Sequence, residues 1–277
     1  MGTTRRLGIP PHLYCLPLVN RMKEDLFSLL VDSAAQNAIN LRNRDLEGAF
    51  LTPVDYARDS SDYCIVPGVA VSSRTPNDTI VLHFKAGLHT INTLAVRPTS
   101  TSEIVLASIL LSERFDVRPT IVPVFGSFDQ MLDAADAALL VGDDALAQRG
   151  RHRHKLDLVE EWEELTGLPY VHGFWCSRSS DLSPDDVTGL QRARELGAQS
   201  LDDISRSEAP KHPGDSAEDL LQYLESLSFT FSDEEQEALT EFLRYAYYHG
   251  ALPDVAELNL YKPDDEDDIP FFGPSLN

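Results

Sequence analysis

Six consecutive residues, Arg97-Pro98-Thr99-Ser100-Thr101-Ser102, set a guanidinium and four hydroxyls ahead of an amphipathic run from Ile104 to Phe115. Hydroxyls and free backbone N–H groups at a helix start either cap the helix or hold an anion such as a carboxylate. A second cluster, Arg151-His152-Arg153-His154-Lys155, carries two imidazoles. Metal binding there would need a third ligand, and the cationic neighbours oppose a divalent ion, so an exposed loop is expected. The cysteines, Cys15, Cys64 and Cys176, are widely spaced with no Cys-x-x-Cys pair. That pattern argues against a thiolate zinc site and fits a reducing compartment. No phosphate loop, dinucleotide glycine fingerprint, serine nucleophile elbow or His-Glu-x-x-His motif occurs. Nucleotide, nicotinamide, flavin and metal chemistry are therefore not expected, and no cofactor is assigned.

The elements that would position these groups follow from periodicity. Leu7–Ile9, Phe27–Val31 and Gly48–Leu51 read as strands, with Ser33 capping a helix to about Arg44. Strand, helix, strand at this spacing predicts a parallel sheet. Ile80–Phe84, Thr93–Val96, Thr120–Val124, Ala137–Gly142 and Tyr170–Cys176 read as further strands, and Leu158–Gly167 as a helix with an acidic face. The last hundred residues read as helices, Pro184–Gln199, Ala217–Leu227 and Asp233–His249, the last with Ser232 and Glu235 in capping-box spacing. Two α/β units followed by helices predict two lobes, and small ligands usually sit in the cleft between lobes.

Composition narrows the function classes. The 277 residues carry a net charge of −22, from 45 acidic and 23 basic side chains. That balance repels nucleic-acid phosphates and anionic membrane surfaces. Hydrophobic residues make up 42%, which suits a globular domain with a real core. There is no apolar run long enough for a membrane helix and no signal-peptide pattern at the start, so a cytoplasmic location is expected. The run Asp264–Asp268 reads as a solvated end.

One segment is distinctive. Asp157 to Val171 (DLVEEWEELTGLPYV) closely resembles the "DLxxEWxxLTGLPFVFAxW" signature of the menaquinone-biosynthesis enzymes of the futalosine pathway, chorismate dehydratase and dihydroxynaphthoate synthase. Further matches keep the same order: Asp45 to Tyr56 (DLEGAFLTPVDY), Tyr63 to Ser73 (YCIVPGVAVSS), Leu139 to Leu146 (LLVGDDAL), and the stretch from Phe229 to Leu260. The resemblance implies an α/β, two-lobed, type II periplasmic-binding-protein-like fold with a central ligand cleft. Lobe crossings are expected near Lys85–Thr90 and Phe174–Ser177, giving a first lobe of 1–87 plus 177–277 and a second lobe of 88–176.

The resemblance also implies a lyase that removes water from chorismate without a cofactor, since aromatisation of the ring supplies the driving force. The cleft must then hold two carboxylates. Thr99, Ser100, Thr101 and Ser102 match the family's "S-x-TS" loop, and Thr52 and Pro53 are expected to shape the wall. Elsewhere the family pattern is broken. Tyr14 stands where the family's "SYLN-x-x-PL" has a polar Asn, and Val96 or Arg97 stands where it has an Asp. Arg97, Lys85, His83, His89 and His12 lie on segments expected near the cleft, where a local positive cluster could hold an anion in an acidic protein. The alternative is that the two strand-end cations, Lys85 and Arg97, point outward. Asp143 either caps the turn after its strand or faces the cleft. Trp162 is expected in the second lobe's packing, Glu161 on a solvated face, and Trp175 in the core.

The expected site is thus Tyr14 and His12 nearest the reacting ring, with Thr52, Pro53, Thr99, Ser100, Thr101, Ser102, Arg97, His83 and Asp143 binding substrate. The expected partner is a small carboxylate, chorismate, with no nucleic acid, no membrane and no metal, in a monomer or homodimer. A non-catalytic carboxylate-binding paralogue and dihydroxynaphthoate synthase are the other readings.

Overall fold

The computed structural model describes residues 4–99 and 101–262. In chain order the strands are β1 (Arg5–Ile9), β2 (Phe27–Val31), β3 (Gly48–Leu51), β4 (Cys64–Ser73), β5 (Ile80–Phe84), β6 (Thr93–Val96), β7 (Thr120–Pro123), β8 (Ala137–Val141), β9 (Lys155–Asp157), β10 (Tyr170–Ser177) and β11 (Leu227–Ser228). The helices are α1 (Leu16–Val19), α2 (Ala34–Arg42), α3 (Pro53–Ala57), α4 (Thr101–Phe115), α5 (Phe128–Ala134), α6 (Asp143–Leu146), α7 (Leu158–Thr166), α8 (Pro184–Ala198), α9 (Leu201–Glu208), α10 (Ala217–Glu225) and α11 (Asp233–Tyr248).

Two sheets form two lobes. The first has the order β11-β4-β10-β3-β1-β2 and the second β7-β6-β8-β5-β9. β1 pairs in parallel with both β2 and β3, as the strand–helix–strand spacing predicts. In the second sheet β6 pairs in parallel with β7 and β8. β5 runs antiparallel between β8 and β9. β10 lies antiparallel between β3 and β4. These pairings correct the expected lobe boundaries. β5 belongs to the second lobe and β10 to the first, so the chain crosses at residues 74–79 and again after α7, at 167–169. Strand membership is set by distant hydrogen-bond partners, which local periodicity does not report.

The distinctive Asp157–Val171 segment builds this junction. Asp157 caps α7 by accepting from Val159 N at 2.9 Å, and its other oxygen accepts from Asn77 N and Asp78 N in the first crossing. Gly167 ends the helix at φ +71°, a left-handed cap that favours glycine. Arg74 donates to the Gly167 carbonyl at 2.9 Å, so the two crossings are tied to each other. Trp162 donates its indole N–H to Pro169 O at 3.1 Å and packs edge-on against Tyr170, Phe242 and Tyr245. It therefore joins the second lobe to α11, which lies on β10, rather than packing the second lobe alone. Glu161, expected on the solvated face, is buried and pairs with Arg114 at 2.8 Å. One buried cluster, running from Leu51 and Ile80 through Leu106 and Trp162 to Phe242, spans both lobes on this side of the molecule. Trp175 is buried against Phe50 in the first lobe.

Candidate functional site

On the other side the lobes face each other across a cleft of about 170 Å³. Its walls come from the loops that follow parallel strands. After β1 come Pro11, His12 and Tyr14, after β2 Ser33 and Ala34, and after β3 Thr52. From the second lobe come Arg97, Thr99 and Glu103 after β6, Leu139 and Val141 on β8, and Asp144 after β8. Carboxyl ends of parallel strands are where open α/β sheets bind ligands, because the connecting loops are free of packing duties there.

Of the expected residues, the structure brings His12, Tyr14, Thr52, Arg97 and Thr99 into this cleft. The His12 ring stacks on Tyr14 with centroids 5.0 Å apart and is half-buried. Burial holds its pKa below the ordinary imidazole value, although Asp143 and Asp144 pull the other way. Burial likewise pushes the Tyr14 phenol well above its ordinary range, with Cys15 and Glu103 adding to the rise. Tyr14 is therefore a neutral hydrogen-bond donor at pH 7 and not a base. Behind it stands His172, 5.5 Å from Tyr14 by ring centroid, with its Nε2 2.7 Å from Ser73 Oγ. Burial, with His12 adding to it, lowers His172 to about 3. Arg97 reaches Asp144 at 3.3 Å and donates to Gly126 O at 3.2 Å.

The remaining expectations are corrected. His83 is buried on β5 against Phe128 and His152, away from the cleft, because β5 lies inside the second sheet. Asp143 lies beside the cleft and accepts from Leu13 N at 2.9 Å, which fastens the loop carrying His12 and Tyr14 to the second lobe. Pro53 is buried in the first turn of α3. Thr101, the first residue of α4, is half-buried and outside the cleft lining. Ser102 is fully buried, donating to Thr52 Oγ1 at 2.8 Å and accepting from Val54 N at 2.9 Å. The Ser102 hydroxyl thus joins the start of α4 to the start of α3. Ser100 lies outside the described residues. Lys85, His89, His152 and His154 are exposed. No group of metal-ligating side chains occurs among the described residues.

The role of Ser102 predicts a stability effect. Ser102→Ala leaves the Val54 N–H unpaired in the interior, which costs about 1–3 kcal/mol. The thermal midpoint should fall while ligand affinity changes little. A loss of binding without loss of stability would return Ser102 to the ligand.

Glu103 was missed. The amphipathic pattern reads as opening at Ile104, yet α4 opens at Thr101, which makes Glu103 its third residue. A glutamate there ordinarily serves as a cap. Glu103 shares a face with Leu106, Ala107 and Leu110, all buried, and is itself only 3% exposed. A carboxylate on the apolar stripe of a helix was the signal available in the sequence. His172 carried a similar signal as a histidine within a buried strand.

A family model described as menaquinone biosynthesis matches residues 5–248. The crystal structure of protein AF1704 from Archaeoglobus fulgidus superposes with a TM-score of 0.71 at 16% identity, covering 90% of this chain and 98% of that one. The periplasmic aliphatic sulphonate binding protein SsuA from Escherichia coli gives 0.65 at 13% identity, covering 100% and 96%. The Candida albicans CA3427 gene product, described as having the generic periplasmic binding protein fold, gives 0.63 at 11%, covering 96% and 99%. The fold is thus the two-lobed periplasmic-binding-protein-like one. No described helix is long and apolar enough to cross a membrane.

Proposed function

Because the chain belongs to the menaquinone-biosynthesis family, we propose that its interlobe cleft removes water from chorismate to give carboxyvinyloxybenzoate. The observation that supports this most is the composition of the cleft walls. Both lobes contribute donors suited to a small anionic ring: the Arg97 guanidinium, the Thr99 hydroxyl, the Tyr14 phenol and the His12 imidazole. The volume of about 170 Å³ lies below the roughly 300–1,000 Å³ of drug-sized pockets and suits one ring with short substituents.

The chemistry asked of the protein is modest. A ring carbon must lose a proton and its neighbour a hydroxide, and the aromatic product supplies the driving force. Arg97 is placed to take a carboxylate bidentately when it exchanges Asp144 for the ligand. Tyr14, held neutral, donates a hydrogen bond and does not compete for the ring proton. The low-dielectric enclosure strengthens each of these contacts relative to water. The described cysteines are free and buried, which suits the cytoplasm, where we place the reaction.

Mass-resolved chromatography of chorismate incubated with purified protein and with a heat-killed control tests the reading. Loss of one water, with an aromatic product formed only by live protein, is the expected result. Chorismate that binds but is recovered unchanged would mean a carboxylate-binding module, a reading favoured by Tyr14 at the position where the family signature has Asn. Chorismate that neither binds nor reacts would remove both.

A further inference from the structure

Resting on the proposed dehydration, we infer that Glu103 is the proton-transfer group of the cleft, giving its proton to the departing hydroxyl and collecting the proton released from the ring. In the family signature the hydroxyl loop was expected to do the recognition, and no acid or base was assigned. The geometry supplies one. Glu103 lines the cleft from the first turn of α4, facing the loop of His12 and Tyr14 across the lobe boundary. Leu139 and Val141 line the same cleft from the second-lobe side, and Glu103 itself is only 3% exposed. The cation that shares the cleft, Arg97, pairs with Asp144 instead. Asp55, a first-lobe carboxylate whose charge reaches Glu103, is held by Thr52 at 2.8 Å and by Arg58 at 3.5 Å.

The charges facing Glu103 set its resting state. Burial raises its carboxyl to about 7, and the Asp55 carboxylate adds to the rise while its own backbone N–H opposes it. A bound dicarboxylate raises it further, since like charges disfavour ionisation. The neutral acid is then the form that meets substrate. His12, which lines the same cleft, is pushed the other way by burial.

The step balances within the site. The Glu103 carboxylic acid protonates the ring hydroxyl, the C–O bond breaks with its electron pair going to oxygen, and water leaves. The neighbouring C–H bond breaks, its electron pair entering the ring to complete the aromatic system. The released proton goes to the Glu103 carboxylate, which restores the acid. No oxidant, metal or second reactant is consumed.

The test compares wild type with Glu103→Gln and Glu103→Asp across pH, reading turnover, chorismate affinity by titration calorimetry, and thermal midpoint. Wild-type turnover at low substrate should fall as pH rises through about 7, because the required proton is lost. Glu103→Gln should bind chorismate within a few fold, lose roughly 10²–10⁴-fold in turnover, and lose the high-pH limb. Glu103→Asp should retain the limb at a reduced rate. Folding is checked by linkage. The folded state holds the Glu103 proton between the ordinary 4.5 and about 7, so wild-type stability declines with rising pH across that window, and the glutamine variant should lack this decline. Turnover within a few fold of wild type with the limb intact would overturn the inference and leave the dehydration standing. Loss of chorismate binding in a folded glutamine variant would overturn it too, making Glu103 a binding residue. Wild-type protein that leaves chorismate unchanged would overturn both.

Discussion

Trp162→Ala is expected to destabilise the protein by about 3–5 kcal/mol, the range for emptying a fully buried aromatic site. The indole has no solvent exposure and touches rings from three places: Tyr170 at the start of β10, and Phe242 and Tyr245 on α11. It also satisfies the Pro169 carbonyl at the second crossing. Removal opens a cavity in the cluster that spans both lobes, so the effect should appear as a lower urea midpoint for the whole molecule. Trp162→Phe should fall between, keeping much of the packing while leaving that carbonyl unpaired. A loss below about 1 kcal/mol, ordinary for a surface substitution, would show that the lobes are not joined through this side chain.

Gly142→Ala should damage the cleft itself. Gly142 sits at φ 60° and ψ −134°, a conformation that L side chains rarely adopt and that costs on the order of 1–3 kcal/mol. A methyl group there would lie 2.4 Å from His12 Nδ1. The ring must then leave its place against Tyr14, and the cleft wall goes with it. Both the thermal midpoint and chorismate affinity are expected to drop. A double-mutant cycle separates the two causes. In a His12→Ala background the steric part vanishes and only the backbone strain remains, so the two substitutions should be less than additive. Full additivity would mean that His12 does not rest on Gly142 in solution.

Much of the architecture was legible in the residue pattern because its causes are local. β1 to β3 and their parallel pairing follow from apolar runs around a capped helix, and Ser33 does accept from Gln36 N at 3.2 Å. The Ser232–Glu235 box starts α11 as its spacing predicts. The Asp157–Val171 segment was legible as a family signature, but its physical task was not. It caps α7 locally and joins the crossings, and the second task depends on residues about 80 positions away.

The cleft divides in the same way. Tyr14, His12, Arg97, Thr52 and Thr99 could be nominated from residue type and order, and the structure sets them around one space. Ser102 and His83 were nominated by the same reasoning and lie elsewhere. Whether a hydroxyl at a helix start meets a ligand or the next helix depends on what packs against it, and here α3 does. Glu103 passed unnoticed because its importance lies in burial, which no spacing states. By itself the sequence determined the elements, the family and the polar character of the cleft, since these follow from periodicity and residue chemistry. Only the tertiary structure decided which strands share a sheet, which hydroxyls remain free, and which carboxyl is driven out of water. Each of those depends on neighbours brought together from distant parts of the chain.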